Sequence, residues 1–137
     1  MTGDLVVGLG CRPGVLAADV RATVRAVLDR SALDPAAVRA YATLAARAGE
    51  PGLRAVTGSE LLAYPAEVLA LVRVPNPSER VAAAVGIPGV AEAAALHAAG
   101  VLAPAGGGAL LVAAKLAGVG VTAAVARIHP GAAYPAG

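Results

Sequence analysis

Gly8, near the end of the apolar run Leu5 to Leu9, and Gly10, Cys11, Arg12 and Gly14, directly after it, crowd together. A glycine turn that follows a strand and opens a helix leaves backbone N–H groups unpaired at the positive end of the helix dipole, which is an anion site. Arg12 would add a guanidinium able to grip a carboxylate with two parallel hydrogen bonds. The plainer reading is that the glycines only permit a tight turn. Cys11, at the same helix start, could carry a lowered pKa and react, or serve as a small buried hydrophobe. Two carboxylates are candidate acid–base groups. Glu92 lies in the apolar stretch Val90 to Leu96 and could act as a general base if burial raised its pKa, or merely favour the dipole of a helix first turn. Glu50 stands in a turn with few charges near it. Lys115, the sole lysine, and Arg127, at the end of the last apolar run, could meet anionic groups at the end or edge of a sheet, or simply be solvated. Asn76 and Ser78 sit in Pro75-Asn76-Pro77-Ser78, where two prolines hold the chain extended and present polar groups to a ligand. Ser78 is equally placed to cap a helix from Glu79. His97 and His129 are far apart and Cys11 is the only cysteine, so no metal site and no cofactor are expected.

Elements must position these groups. Leu5 to Leu9 is continuous rather than alternating in hydrophobicity, as in a strand buried on both faces. Gly10 to Gly14 reads as a turn. From Leu16 to Asp29, Ala17, Val20, Val24 and Leu28 recur at helical spacing, with Arg21, Arg25 and Asp29 on another face. Asp34-Pro35 starts a new segment. Val38 to Leu44 alternates and fits an α/β rhythm, so a strand is expected although its alanines favour helix. Glu50-Pro51-Gly52 opens a short helix, Leu61 to Tyr64 is a strand, and Pro65 to Val72 a helix. Val90 to Ala99 reads as a helix stopped by Gly100. Ala109 to Ala113 and Val121 to Ala126 read as strands joined by a connection holding Lys115 and glycines. The expected architecture is a single three-layer α/β/α domain over residues 1–128 with a mostly parallel or mixed sheet, and a frayed tail over 129–137.

Composition excludes several classes. The chain is 58% hydrophobic with no Phe or Trp and three Tyr, and its mean hydropathy is +0.71. Alanine, valine and leucine must therefore fill the core. The longest uncharged stretch, Ala98 to Ala114, contains Pro104 and three consecutive glycines, which would break a spanning helix. The N-terminus lacks the positive region of a signal peptide, so a cytoplasmic protein without a membrane segment is expected. Arginines are scattered and no aromatics interleave with them, which argues against nucleic acid.

Several segments together resemble the CobE family, which includes the C-terminal domain of CbiG. They are Val7-Gly8-Leu9-Gly10-Cys11-Arg12, Pro75-Asn76-Pro77-Ser78, Val85-Gly86-Ile87-Pro88-Gly89-Val90-Ala91-Glu92-Ala93-Ala94-Ala95-Leu96, and Leu111-Val112 with Lys115 followed by Val121-Thr122-Ala123-Ala124-Val125-Ala126-Arg127. Glu50-Pro51-Gly52-Leu53 is similar to the family's Glu-x-Gly-Leu step. Each motif is weak alone, but their order and spacing, from about residue 5 to 127, are fairly specific. The family's usual serine before Val90 is Gly89 here, and Arg47 stands where a lysine is usual.

The resemblance implies a role in building the corrin ring. CbiG is a cobalt-precorrin-5A hydrolase that opens a lactone and releases acetaldehyde. This chain resembles the free-standing CobE form, whose own step is less defined. A tetrapyrrole (precorrin or corrinoid) intermediate is therefore the expected partner, with loop amides, Arg12 and Lys115 or Arg127 holding its acetate and propionate arms, and a glutamate assisting lactone hydrolysis. Two other readings stay open. One is a dinucleotide-binding module, since Gly8, Gly10 and Gly14 after a strand approximate a Rossmann fingerprint and Arg47 could meet a 2′-phosphate. The other is a non-catalytic subunit whose alanine-rich surface is buried in a homodimer or against another cobalamin-pathway enzyme.

Overall fold

A computed structural model describes residues 3–74 and 89–131. The elements in order are β1 (Leu5–Cys11), α1 (Ala17–Arg30), β2 (Val38–Leu44), α2 (Pro51–Thr57), β3 (Leu61–Tyr64), α3 (Ala66–Leu69), α4 (Val90–Leu102), β4 (Gly108–Ala117) and β5 (Val121–His129). They form one five-stranded mixed sheet in the order β3-β2-β1-β5-β4. β1, β2 and β3 run parallel. β5 runs antiparallel to both β1 and β4. The domain is thus α/β, as the sequence rhythm predicts. Among the described residues no helix is long and apolar enough to cross a membrane.

Helices cover both faces, and the pattern in β1 explains which. Leu5, Val7 and Leu9 join Val20, Val24, Val27 and Leu28 of α1 and Leu53 of α2 in one core. Val6 faces the other way, into a core with Ala93, Ala94, Ala95, Ala98 and Ala99 of α4. Burial along α1 alternates in pairs, so its apolar stripe meets the sheet while Arg21 and Arg25 face water. α4 is different: alanine fills six of its seven buried positions, and it packs against β1, β2, β4 and β5.

Gly8 makes that contact possible. It is central in β1, paired with Ala42 and Ala124. A Cβ there would overlap the carbonyl oxygen of Ala91 and stand 2.7 Å from the amide nitrogen of Ala95. Gly8 is therefore a close-packing glycine, not a member of a ligand-binding turn.

Several boundaries differ from the sequence expectation. β1 runs on to Cys11, so Gly10 belongs to the strand. α4 passes Gly100 and ends at Leu102, because Gly100 keeps a negative φ. The helix stops where Pro104 forces Ala103 into extended backbone (φ −72°, ψ 149°). The helix expected over Pro65 to Val72 is the short α3. β4 extends to Ala117, so Lys115 lies within a strand and the reversal falls at Gly118-Val119-Gly120, with Gly120 at φ 72°. β5 continues to His129, which the sequence assigns to the tail.

Candidate cleft at the carboxyl end of β1

A cleft of about 420 Å3 opens where β1 ends. Gly10, Cys11 and Arg12 form one wall, Gly89 and Val90 at the start of α4 a second, and Lys115 with Gly118, Gly120, Val121 and Thr122 of the β4–β5 hairpin a third. Parallel strands place their carboxyl ends and the following loops at one edge, the usual location of ligand clefts in open α/β sheets. The hairpin is tied to that edge by the Arg12 amide, which donates to the Gly120 carbonyl at 2.9 Å. The Thr122 hydroxyl lies 3.5 Å from the Gly10 carbonyl. Gly10 has no side chain to fill the space: a Cβ there would approach Thr122 Oγ1 to 3.0 Å and Val90 Cγ1 to 3.6 Å.

The cleft is cationic. Arg12 is exposed and Lys115 half-buried, and among the described residues neither side chain is paired with a carboxylate. The first turn of α4 adds the positive end of a helix dipole. No acidic side chain is among the described residues that line the cleft.

Lys115 is placed by an irregularity in β4. Pairing steps from Ala113–Val125 to Leu116–Ala123, so β4 carries one residue more than β5 over this span. Such bulges re-aim a side chain and free backbone groups from the ladder. The Lys115 amide donates to Glu92 Oε2 at 3.1 Å, and Arg30 Nη2 donates to the Ala114 carbonyl at 2.8 Å. Glu92 is 5% exposed. Its other oxygen packs against Gly89, where any side chain would collide with it. Gly89 takes a left-handed conformation (φ 65°), so the serine usual in the resemblance would be strained here and would displace the Glu92 carboxylate.

Glu50 lies outside the cleft lining and closes the turn beyond it. Its Oε1 accepts from the Gly14 amide at 2.8 Å. That carboxylate occupies the position where a pyrophosphate would meet a Rossmann-type loop. In addition α1 starts only at Ala17, after extended backbone at Leu16. Arg47 Nε donates to the Cys11 carbonyl at 3.0 Å. Burial pushes the Cys11 thiol above its usual pKa, Glu50 adds to the rise, and Arg47 opposes it. The environment thus disfavours the thiolate, the reverse of an activated cysteine.

The candidates therefore divide. Gly10, Cys11, Arg12 and Lys115 come together; Glu92 backs the cleft and Glu50 flanks it. Gly8 is interior. Arg127 stands at the other end of β5, opposite Leu5, and its Nε meets Asp4 Oδ2 at 3.1 Å. Arg127 therefore lies apart from the cleft that gathers the other cations. Asn76 and Ser78 lie outside the described residues. His97 packs edge-on against Tyr64 with ring centroids 4.5 Å apart. Sequence reasoning misses the contributions of Gly118, Gly120 and Val90, for which the signal is a glycine-flanked reversal between two apolar runs.

Comparison with known proteins accords with this layout. The family described as cobalamin synthesis G C-terminus matches residues 5–126. The chain belongs to this family. A curated relative, Protein CobE of a Sinorhizobium species, is 39% identical over 103 residues, which cover 70% of this chain and 66% of that protein's length. The crystal structure of CobE, a protein from the cobalamin biosynthetic pathway, superposes with a TM-score of 0.73 at 31% identity, covering 93% of this chain and 92% of that one. The cobalamin biosynthesis protein chiG of Agrobacterium tumefaciens gives a TM-score of 0.65 at 34% identity, covering 90% and 97%. A cobalamin biosynthesis protein G homologue of Sulfolobus solfataricus shares the fold (TM-score 0.67, 21% identity), covering 92% of this chain but only 37% of its own. The resemblance to the CobE and CbiG C-terminal family read in the motifs is thereby established.

Proposed function

We propose that this protein acts in cobalamin biosynthesis by holding a precorrin or corrinoid intermediate through the ring's peripheral carboxylates at the β1 cleft. The observation that carries the reading is the convergence of two cations, Arg12 and Lys115, on a cleft whose described lining has no acid. Such an intermediate bears several acetate and propionate arms, and charge-assisted hydrogen bonds from Arg and Lys are the strong ones. The volume, about 420 Å3, lies within the range of small-molecule sites, roughly 300–1,000 Å3. It suits an edge of the macrocycle with its arms rather than the whole ring. Val119, 69% exposed at the hairpin tip, adds apolar surface beside the charges.

Assistance to lactone hydrolysis is a second reading, and one observation favours a particular residue. Glu50 is half-buried and close enough to Cys11, in the cleft wall, to raise its pKa. Both carboxylates accept from a backbone amide, Glu92 from Lys115 and Glu50 from Gly14, but Glu92 is buried at 5% exposure while Glu50 is only half-buried and reachable from solvent, so Glu50 rather than Glu92 would serve as base. The dinucleotide reading has the Glu50 carboxylate on the Gly14 amide against it.

The test is a titration of the protein with hydrogenobyrinic acid, followed by its visible spectrum, with NADPH titrated in parallel. Saturable corrinoid binding without an NADPH response supports the proposal. NADPH binding alone overturns it in favour of a dinucleotide site, and binding of neither indicates a subunit that needs a partner. Release of acetaldehyde from a lactone-bearing precorrin separates hydrolysis from holding.

A further inference from the structure

The second of two irregularities in β4 leaves the Ala114–Lys115 peptide unit without partner residues in β5. In a regular strand the C=O and N–H of such a unit lie in the plane of the sheet, towards neighbouring strands or the open edge. Here they go to side chains on helices covering opposite faces. The Ala114 carbonyl accepts from Arg30 Nη2 at 2.8 Å, and Arg30 is the last residue of α1. The Lys115 amide donates to Glu92 Oε2 at 3.1 Å, and Glu92 is in the first turn of α4. α1 packs on the face of Leu5, Val7 and Leu9, and α4 on the face of Val6.

The charges match the peptide dipole at both ends: a guanidinium meets the negative oxygen and a carboxylate the positive N–H. Hydrogen bonds with one ionised partner are shorter and about twice as strong as neutral ones. Glu92 is buried at 5% exposure, a costly place for a charge unless it is hydrogen-bonded. We infer that Arg30 and Glu92 are positioning residues that clamp the 114–115 peptide and thereby hold the Lys115 ammonium in the cleft. The inference rests on the reading of that cleft as a carboxylate site, although the clamp itself is tested without a ligand.

Lys115 is the only lysine, so protein grown with carbon-13-labelled lysine gives one set of side-chain signals. A held side chain gives two resolved ε-proton shifts, whereas a free one gives a single averaged signal. The expected result is a resolved pair in the wild type, its collapse in Arg30→Ala, and its retention in Arg30→Lys, which keeps a donor; its added lysine is told apart by its absence from the wild-type spectrum. Arg30 is exposed, so these variants leave the core intact. An averaged signal in the wild type, or an unchanged pair in Arg30→Ala, overturns the clamp.

The second readout is a cycle of hydrogenobyrinic acid affinities for Arg30→Ala, Lys115→Ala and the double variant. Lys115→Ala should weaken binding by roughly tenfold to a hundredfold, the worth of a hydrogen bond to a charged group. Arg30→Ala should weaken it by at least about threefold in the wild type, and by nothing further once Lys115 is absent. Equal losses in both backgrounds show that Arg30 does not act through Lys115. If the wild type binds no corrinoid, the ligand reading fails while the lysine spectrum still decides the clamp.

Discussion

Replacing Gly8 by alanine adds one methyl group, yet the structure gives that group nowhere to go. Its Cβ would overlap the Ala91 carbonyl and lie 2.7 Å from the Ala95 amide nitrogen, both backbone atoms of α4. No side-chain rotation relieves this, so the helix must move off the sheet. Ala91, Ala93, Ala94, Ala95, Ala98 and Ala99 of α4 are each 1% exposed or less. At about 0.8 kcal/mol for each buried methyl-sized group, they contribute about 5 kcal/mol. A gap of about 0.5–1 Å forfeits about a quarter to a half of contact energy, which is about 1–2.5 kcal/mol over this face. Alanine regains about 0.5–1 kcal/mol over glycine in backbone entropy. The net expectation is destabilisation by about 1 kcal/mol, at the low end of the usual cost of overpacking, about 1–3 kcal/mol. Gly100, in the same helix, has a negative φ and open space, with nothing within 4 Å of where a Cβ would sit. Gly100→Ala should therefore stabilise, by up to about 1 kcal/mol. Urea unfolding of both variants, compared at constant slope, reads the two signs directly. A Gly8→Ala protein as stable as the wild type would refute the reasoning about close helix-on-sheet packing.

Further outcomes follow from the environment of particular groups. Glu50 raises the Cys11 pKa, so Glu50→Gln should speed alkylation of Cys11 by iodoacetamide at neutral pH, and Arg47→Gln should slow it; the rates are read by intact mass. Burial also pushes the Tyr41 and Tyr64 hydroxyls up. Each raised acid binds its proton more tightly folded than unfolded, so its stabilising effect is complete below the ordinary pKa, about 8.5 for Cys and about 10 for Tyr, and is lost as pH climbs through the raised value. Urea midpoints should thus hold from about pH 7 to 8 and fall progressively as pH climbs past these ordinary values. Arg127→Ala removes a half-exposed ion pair at the far end of the sheet, so stability should change by less than about 1 kcal/mol and corrinoid affinity not at all; a large loss of affinity would place a ligand there.

Much of the fold is legible in local sequence. β2 and β3 occupy the residues expected, Val38–Leu44 and Leu61–Tyr64, because alternation and flanking prolines mark them. The paired burial of α1 follows directly from its valines and arginines. The misread positions are those governed by distant contacts. Gly10 looks like the start of a turn, but pairing with Thr122 of β5 carries the strand through it to Cys11. Gly100 looks like a helix stop, yet only a positive φ would make it one. Lys115 reads as part of a connection because a bulge leaves no pattern in a run of small apolar residues. The cleft is half legible: Gly10, Cys11, Arg12 and Lys115 stand out in the sequence, and their meeting depends on β5 pairing antiparallel with β1 so that Val121 lies opposite Cys11. The roles of Glu92 and Glu50 are not legible, because each is set by a backbone amide, Lys115 in one case and Gly14 in the other, far away in the chain.

The most direct measurement is the affinity of hydrogenobyrinic acid for the wild type and for a variant carrying both Arg12→Ala and Lys115→Ala, at low and at high salt. If the cleft holds the ring by its carboxylates, the wild type binds saturably and weakens as salt rises. The double variant should bind at least about a hundredfold more weakly, as expected for the loss of two charge-assisted contacts, with little remaining salt dependence. Equal affinity in the two proteins would show that the β1 cleft is not where the intermediate binds.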